Sequence, residues 1–147
     1  MLTRRHIRVK VMQCIYALTQ SKDDSLEKQE KFLVASIDNM YTLYLLMLSL
    51  LIEIRLHAKG QLLLSAKKYL ATSSDAYPDK EKFIKNRLLL QLAQNQSLKE
   101  ELKKRKLKNW YLNDEYVKLL YKEIVDSTFY ADYMNSDGSS YDEDKTL

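Results

Sequence analysis

Apolar positions recur along this chain at three- and four-residue spacing, and the runs they form predict helices joined by short polar segments. The first run predicts a helix capped by Thr3 and ending near Thr19, with Ile7, Val11, Cys14, Ile15 and Leu18 on one stripe. Val9, Met12 and Tyr16 form a second stripe on roughly the opposite side, so this helix is expected to pack against neighbours on both sides. Residues 21–24 read as a joint, with Asp24 and Glu27 in a weak capping-box pattern. A long helical pattern then runs from Leu26 to about Leu70, with Asp38 or Gly60 as candidate breaks, and Leu45, Leu48, Ile52 and Leu56 are expected to face a core. Leu62, Leu63 and Ala66 extend it. Thr72 to Pro78 reads as a loop. A third helix is expected from about Asp79 to Lys106, with Phe83, Ile84, Leu88, Leu92 and Leu102 inward. A fourth, capped by Asn113 or Asp114, passes through Val117, Leu120, Tyr121, Ile124 and Val125 and fades near Tyr133.

Composition turns this pattern into a fold class. Two glycines and one proline in 147 residues leave too little turn chemistry for a sheet protein, so the expectation is all-α: a compact bundle of about four to six helices. Residues 1–134 are read as one helical domain, and residues 135–147, rich in Ser, Asp and Gly, as an acidic mobile tail. The most apolar stretch, Met40 to Leu56, is broken by Thr42, Ser49, Glu53 and Arg55, and its uncharged part falls short of the ~20 residues that cross a bilayer. It is read as a buried core helix. A single cysteine suits a reducing, cytoplasmic compartment, and no secretory signal pattern is visible.

The net charge of +4 is unevenly spread. Residues 1–22 carry Arg4, Arg5, Arg8, Lys10 and Lys22 and no acid, giving +5, so the other 125 residues sum to −1. Arg4 and Arg8 are one helical turn apart, flanked by Arg5 and Lys10, and guanidinium forks match phosphate and base-edge acceptors. Cations at a helix N-terminus oppose the helix dipole unless an anion visits. The bland reading is a solvated charged helix end. A second basic run, Lys99 to Lys108 followed by Trp110 and Tyr111, could extend a nucleic-acid path, although Glu100 and Glu101 interrupt it and Trp110 also fits a core anchor.

Catalytic chemistry finds few footholds. Cys14 lies on an apolar helix face, where a thiol is usually inert packing. His6 stands among arginines that would hold it neutral or let it donate to phosphate. Glu53 and His57 have the spacing of two metal ligands but lack companions, and two glycines make no phosphate-cradling loop. No enzyme activity, cofactor or metal is expected.

The run Arg4-Arg5-His6-Ile7-Arg8-Val9-Lys10-Val11-Met12-Gln13-Cys14-Ile15-Tyr16 resembles the opening helix of the transcription antitermination factor NusB family, whose pattern is Arg-Arg-x-x-Arg followed by Gln-x-Leu-Tyr. Arg4, Arg5, Arg8, Gln13 and Tyr16 match, and Ile15 replaces the Leu. Tyr41-x-x-Tyr44, Asn86-Arg87 and Leu119-Leu120-Tyr121-Lys122 are similar to a long variant of the family in which extra helices follow the first. The resemblance implies a NusB-like helical fold and a non-enzymatic, RNA-binding transcription antitermination factor. It implies contact with boxA-type RNA of ribosomal RNA leader transcripts through Arg4, Arg5 and Arg8, together with a small-subunit ribosomal protein and the transcription complex. Lys10 joins the RNA-binding set on electrostatic grounds alone. Tyr16 matches the motif and equally suits the core. The family's second half has no counterpart in these 147 residues, so the chain is read as an N-terminal portion with a truncation point after the tail. The competing expectation is a helical protein-interaction module with a basic docking helix. Attachment of that helix to a membrane surface is a weaker one.

Overall fold

A computed structural model describes residues 3–20, 25–69, 81–136 and 141–145. Every regular element among them is helical: α1 (Arg4–Gln20), α2 (Leu26–Tyr69), α3 (Glu81–Ile84), α4 (Arg87–Gln94), α5 (Gln96–Lys104), α6 (Asn109–Leu112), α7 (Asp114–Val125), α8 (Thr128–Asn135) and α9 (Tyr141–Asp144). The protein is all-α, as its scarcity of turn residues predicts. The expected joint at 21–24, the loop at 72–78 and the start of the third helix at Asp79 lie outside the described residues.

The first two helices follow the apolar runs closely. α2 passes through Asp38 and Gly60 without a break, and a Cβ at Gly60 would meet nothing within 4 Å, so this glycine performs no steric task. The third and fourth runs break into shorter helices at residues that favour caps. Asn86 and Asn95 each stop one helix and start the next, their Oδ1 atoms accepting from the backbone N–H of Leu89 at 3.1 Å and Leu98 at 2.9 Å. Ser127 does the same between α7 and α8, its Oγ accepting from Tyr130 N at 3.2 Å. α5 ends in a Schellman motif: Leu107 N–H donates to Leu102 O and Lys106 N–H to Lys103 O, with Lys106 in the left-handed region at φ 54°.

The chain divides into two compact units, Met1–Leu46 and Met47–Leu147. The second unit holds a core of Leu50, Ile54, Ala58, Phe83, Leu89, Val117 and Tyr130, with Trp110, Tyr121 and Ile124 packed against it. α2 therefore turns Leu50, Ile54 and Ala58 inward, one face round from the expected Leu48, Ile52 and Leu56, of which Leu56 is 47% exposed. Leu45 is buried as expected. α2 is apolar round much of its circumference here, so helical periodicity alone cannot select the buried face. The expectation that Met40–Leu56 is a buried core helix also fails in part. α2 is the one described helix long and apolar enough to cross a membrane, and only 11% of its most apolar window is buried.

Cations close helix ends in this unit. Arg55 Nε donates to Ile84 O at the end of α3 at 2.8 Å. Lys82 Nζ donates to Tyr133 O at 2.6 Å, Ser136 O at 2.5 Å and Ser136 Oγ at 2.8 Å, satisfying the last turn of α8. Trp110 Nε1 donates to Ser49 Oγ at 3.0 Å, which makes the indole an anchor of the core.

The end of the chain departs from the expected free tail. Asp144 on α9 is buried; its Oδ1 accepts from Tyr133 Oη at 2.8 Å and its Oδ2 from Arg87 N–H at the start of α4 at 2.9 Å. Asn86 Nδ2 donates to Asp144 O at 3.0 Å and to Tyr133 Oη at 3.3 Å. An anion at a helix N-terminus, fully hydrogen-bonded, gives this acidic segment a place that composition does not reveal. Burial and the neighbouring Asp144 carboxylate push the Tyr133 phenol up to about 12.

In the first unit, among the described residues, only Cys14 and Leu45 are buried. α1 shares an apolar groove with the start of α2 through Val11, Cys14, Leu18, Leu26 and Leu33. The second stripe of α1 does not find the expected neighbour: Val9 is half exposed, and Met12 and Tyr16 are about two-thirds exposed.

Candidate nucleic-acid interface

α1 begins with Thr3, whose carbonyl accepts from Ile7 N–H at 3.2 Å. His6, three residues on, turns back so that its Nδ1 lies 3.4 Å from Thr3 N and 3.1 Å from Thr3 Oγ1, the role a glutamate has in a capping box. That local bond occupies Nδ1, the ring atom nearest the cap, and leaves the arginines to meet solvent.

Arg4, Arg5 and Arg8 are all exposed, and α1 has no acid in its first turn. Among the described residues, no carboxylate pairs with any of the three. At 1.5 Å rise and 100° per residue, Arg4 and Arg8 sit ~6 Å apart along the axis and ~40° apart round it. Three permanent cations are thus gathered on two turns at the positive end of a helix dipole, where each raises the local potential the others feel.

Lys10 is not brought together with them. Two positions beyond Arg8 it projects ~160° away, and it is half-buried along a groove with Phe32, Ala35, Met40 and Leu43. Its methylene stem covers apolar surface, as long cationic side chains often do.

The second stripe of α1, expected to be covered, lies open beside Arg5. Positions 5, 9, 12 and 16 follow the i, i+4, i+7, i+11 spacing of one helix face, so Arg5, Val9, Met12 and Tyr16 make one exposed stripe. The spacing is readable from sequence; what hid its meaning was the assumption that any apolar stripe is covered.

The second basic run is a weaker surface. Glu101 pairs with Lys104 and with Arg105, each at 3.7 Å, and Trp110 is turned into the core. Exposed Lys99, Lys103, Lys106 and Lys108 remain, with Tyr111 beside them.

The catalytic candidates come to little. Cys14 is buried, and the ring of His57 meets that of Tyr121 edge-on at 5.2 Å. No group of three metal-ligating side chains occurs among the described residues. An open groove of about 670 Å3 between α2, α7 and α8 is lined by Ala58, Leu62, Val125, Tyr130 and Met134 together with His57, Lys118 and Lys122. Lys118 is already paired with Asp114 at 2.5 Å.

No protein-family model matches the chain, and neither a curated protein nor a solved structure matches it significantly.

Proposed function

We propose that this protein binds RNA through the outward side of α1, with Arg4, Arg5 and Arg8 as its phosphate and base contacts. The observation that carries the reading is the exposure of three guanidinium groups, none paired with a carboxylate among the described residues, on the first two turns of one helix. Such a cluster costs free energy through mutual repulsion and through opposition to the helix dipole, and a bound polyanion relieves both. The finer reading is a cytoplasmic transcription antitermination factor that holds boxA-type RNA together with a small-subunit ribosomal protein, by non-covalent tethering. What supports it is the resemblance carried chiefly by residues 4–16.

The test is a gel-shift titration with a boxA-like RNA across a range of salt. Each phosphate contact on a single strand contributes roughly 0.7 to the slope of log affinity against log salt. Arg4→Ala with Arg8→Ala is therefore expected to weaken binding and to flatten that slope by about 1.4, with helicity by circular dichroism unchanged. Wild-type affinity and slope in the double variant would remove the site and leave the docking-helix alternative.

A further inference from the structure

Three helices of the second unit each turn one face to the groove between α2, α7 and α8. Their less polar members lie one helical turn apart in pairs: Ala58 and Leu62 on α2, Tyr121 and Val125 on α7, Tyr130 and Met134 on α8. A polar row runs beside each pair, with His57 and Gln61 on α2, Lys118 and Lys122 on α7, and Asn135 on α8. Ala58 and Tyr130 are buried while Gln61, Lys118, Lys122 and Asn135 are exposed, so the first rows form a floor and the second a rim. A volume of about 670 Å3 falls within the ~300–1,000 Å3 of small-ligand sites.

The polar groups of this groove are unmet. Tyr130 is 9% exposed, yet its phenol has no hydrogen-bond partner among the described residues, and neither has that of half-buried Tyr121. No unpartnered side-chain oxygen or nitrogen is sealed from solvent among the described residues, so both hydroxyls open on the groove they line. A buried phenol usually finds a partner within the protein. Burial and the neighbouring Tyr121 push Tyr130 up to about 12, and burial raises Tyr121 as well, so both stay protonated donors at neutral pH. His57 meets Tyr121 edge-on, and its ring nitrogens are also without a hydrogen bond among the described residues. Lys118 is neutralised by Asp114, but Lys122, one turn on, pairs with no carboxylate among the described residues, and none of the described lining residues is acidic.

We propose that this groove binds a free alkyl carboxylate, its chain along the floor and its carboxylate accepting from the Tyr121 and Tyr130 hydroxyls beside the Lys122 ammonium. One unpaired cation with two neutral donors matches a monoanion, whereas a phosphate dianion would ask for a second cation. From His57 to Ser65 the α2 side of the groove is ~12 Å long, which favours an extended chain over a compact ring. The site lies wholly in the second unit and does not depend on the RNA reading of α1.

Isothermal titration calorimetry of the full chain with decanoate, kept below its micelle-forming concentration, tests the proposal. A single saturable site is expected, with decanol, which has the same chain and no charge, bound about tenfold or more weakly. Tyr130→Phe keeps the ring in the core and removes only a hydroxyl that has no partner among the described residues. The fold should therefore hold its stability while decanoate affinity falls about tenfold. Lys122→Gln, at an exposed position, should weaken decanoate by about threefold and leave decanol unchanged. Failure to saturate by about 1 mM decanoate, equal affinity for decanol, or wild-type affinity in Tyr130→Phe overturns the proposal. So does uptake that continues beyond one equivalent, because that is detergent-like coating of apolar surface rather than a site.

Discussion

Asp144→Ala is the most informative perturbation of the fold, because one side chain ties the last described helix to two others. Its carboxylate accepts from Tyr133 Oη at 2.8 Å and from Arg87 N–H at 2.9 Å, and it is 6% exposed. A hydrogen bond to an ionised group is worth ~1.5–3 kcal/mol, and an anion in the first turn of a helix ~0.3–1 kcal/mol more. Water can reach part of the vacated site, and Tyr133 Oη keeps Lys82 O as a distant acceptor at 3.5 Å. The net loss should then be about 2–4 kcal/mol. With a urea m-value of about 2 kcal/mol/M for a unit of this size, the unfolding midpoint should fall by roughly 1–2 M. Circular dichroism at 222 nm read against urea measures the shift. Removal of residues 137–147 should cost a similar amount, since the same two donors lose their acceptor. Asp144→Asn should cost less, since the amide oxygen still accepts one of the bonds. A midpoint within about 0.3 M of wild type would refute the assignment of residues 141–145 to the folded body and return them to the tail that composition predicts.

Other outcomes follow from local geometry. Gly60→Ala should stabilise the protein by ~0.5–1 kcal/mol, because the position is helical and its Cβ site is open; thermal melting reads it. Lys106→Gly should stabilise by ~1 kcal/mol by relieving the left-handed backbone of the Schellman motif, and a lower melting temperature would disprove that strain. The phenols of Tyr130 and Tyr133 are pushed up to about 12, mainly by burial, and that of Tyr121 is raised for the same reason. In each case the folded value lies above the unfolded value near 10, so the associated stability is fully present below pH 10 and is lost as pH rises towards 12. Absorbance at 295 nm should show these tyrosines ionising late and joining the remainder once urea unfolds the chain; a single transition near 10 in the folded protein would contradict their burial.

The fold class was legible because it depends on sums. Two glycines and one proline exclude a sheet wherever the helices start or stop, and the α1 and α2 boundaries fell close to their apolar runs. The breaks at Asn86, Asn95 and Ser127 were less visible, since each sits in an apolar rhythm that continues past it. A capping side chain overrides that rhythm only because Leu89, Leu98 and Tyr130 N–H groups find it within hydrogen-bond reach. Asp144 was invisible for a related reason. An acidic, Ser- and Gly-rich end has the composition of disorder, and its fixed position comes from one buried anion matched to one helix N-terminus and one phenol, a long-range coincidence that no local window contains.

The candidate site shows the same division between what a sequence sums and what a fold arranges. That the N-terminal cations are concentrated was plain from residues 1–22, and the outward position of Arg4, Arg5 and Arg8 agrees with the placement expected of them. Lys10 joins them on electrostatic grounds, but two positions on a helix is nearly half a turn, and the same 100° step that unites Arg4 with Arg8 sends Lys10 to the opposite groove. Met12 and Tyr16 show the converse error. Both are apolar enough to suggest a core, yet the first unit buries so little that an apolar stripe there remains surface. For this hairpin the rule that apolar residues go inside becomes a statement about how little α1 and the start of α2 can bury between themselves: Cys14 and Leu45 alone among the described residues of the unit, with the second stripe of α1 left at the surface.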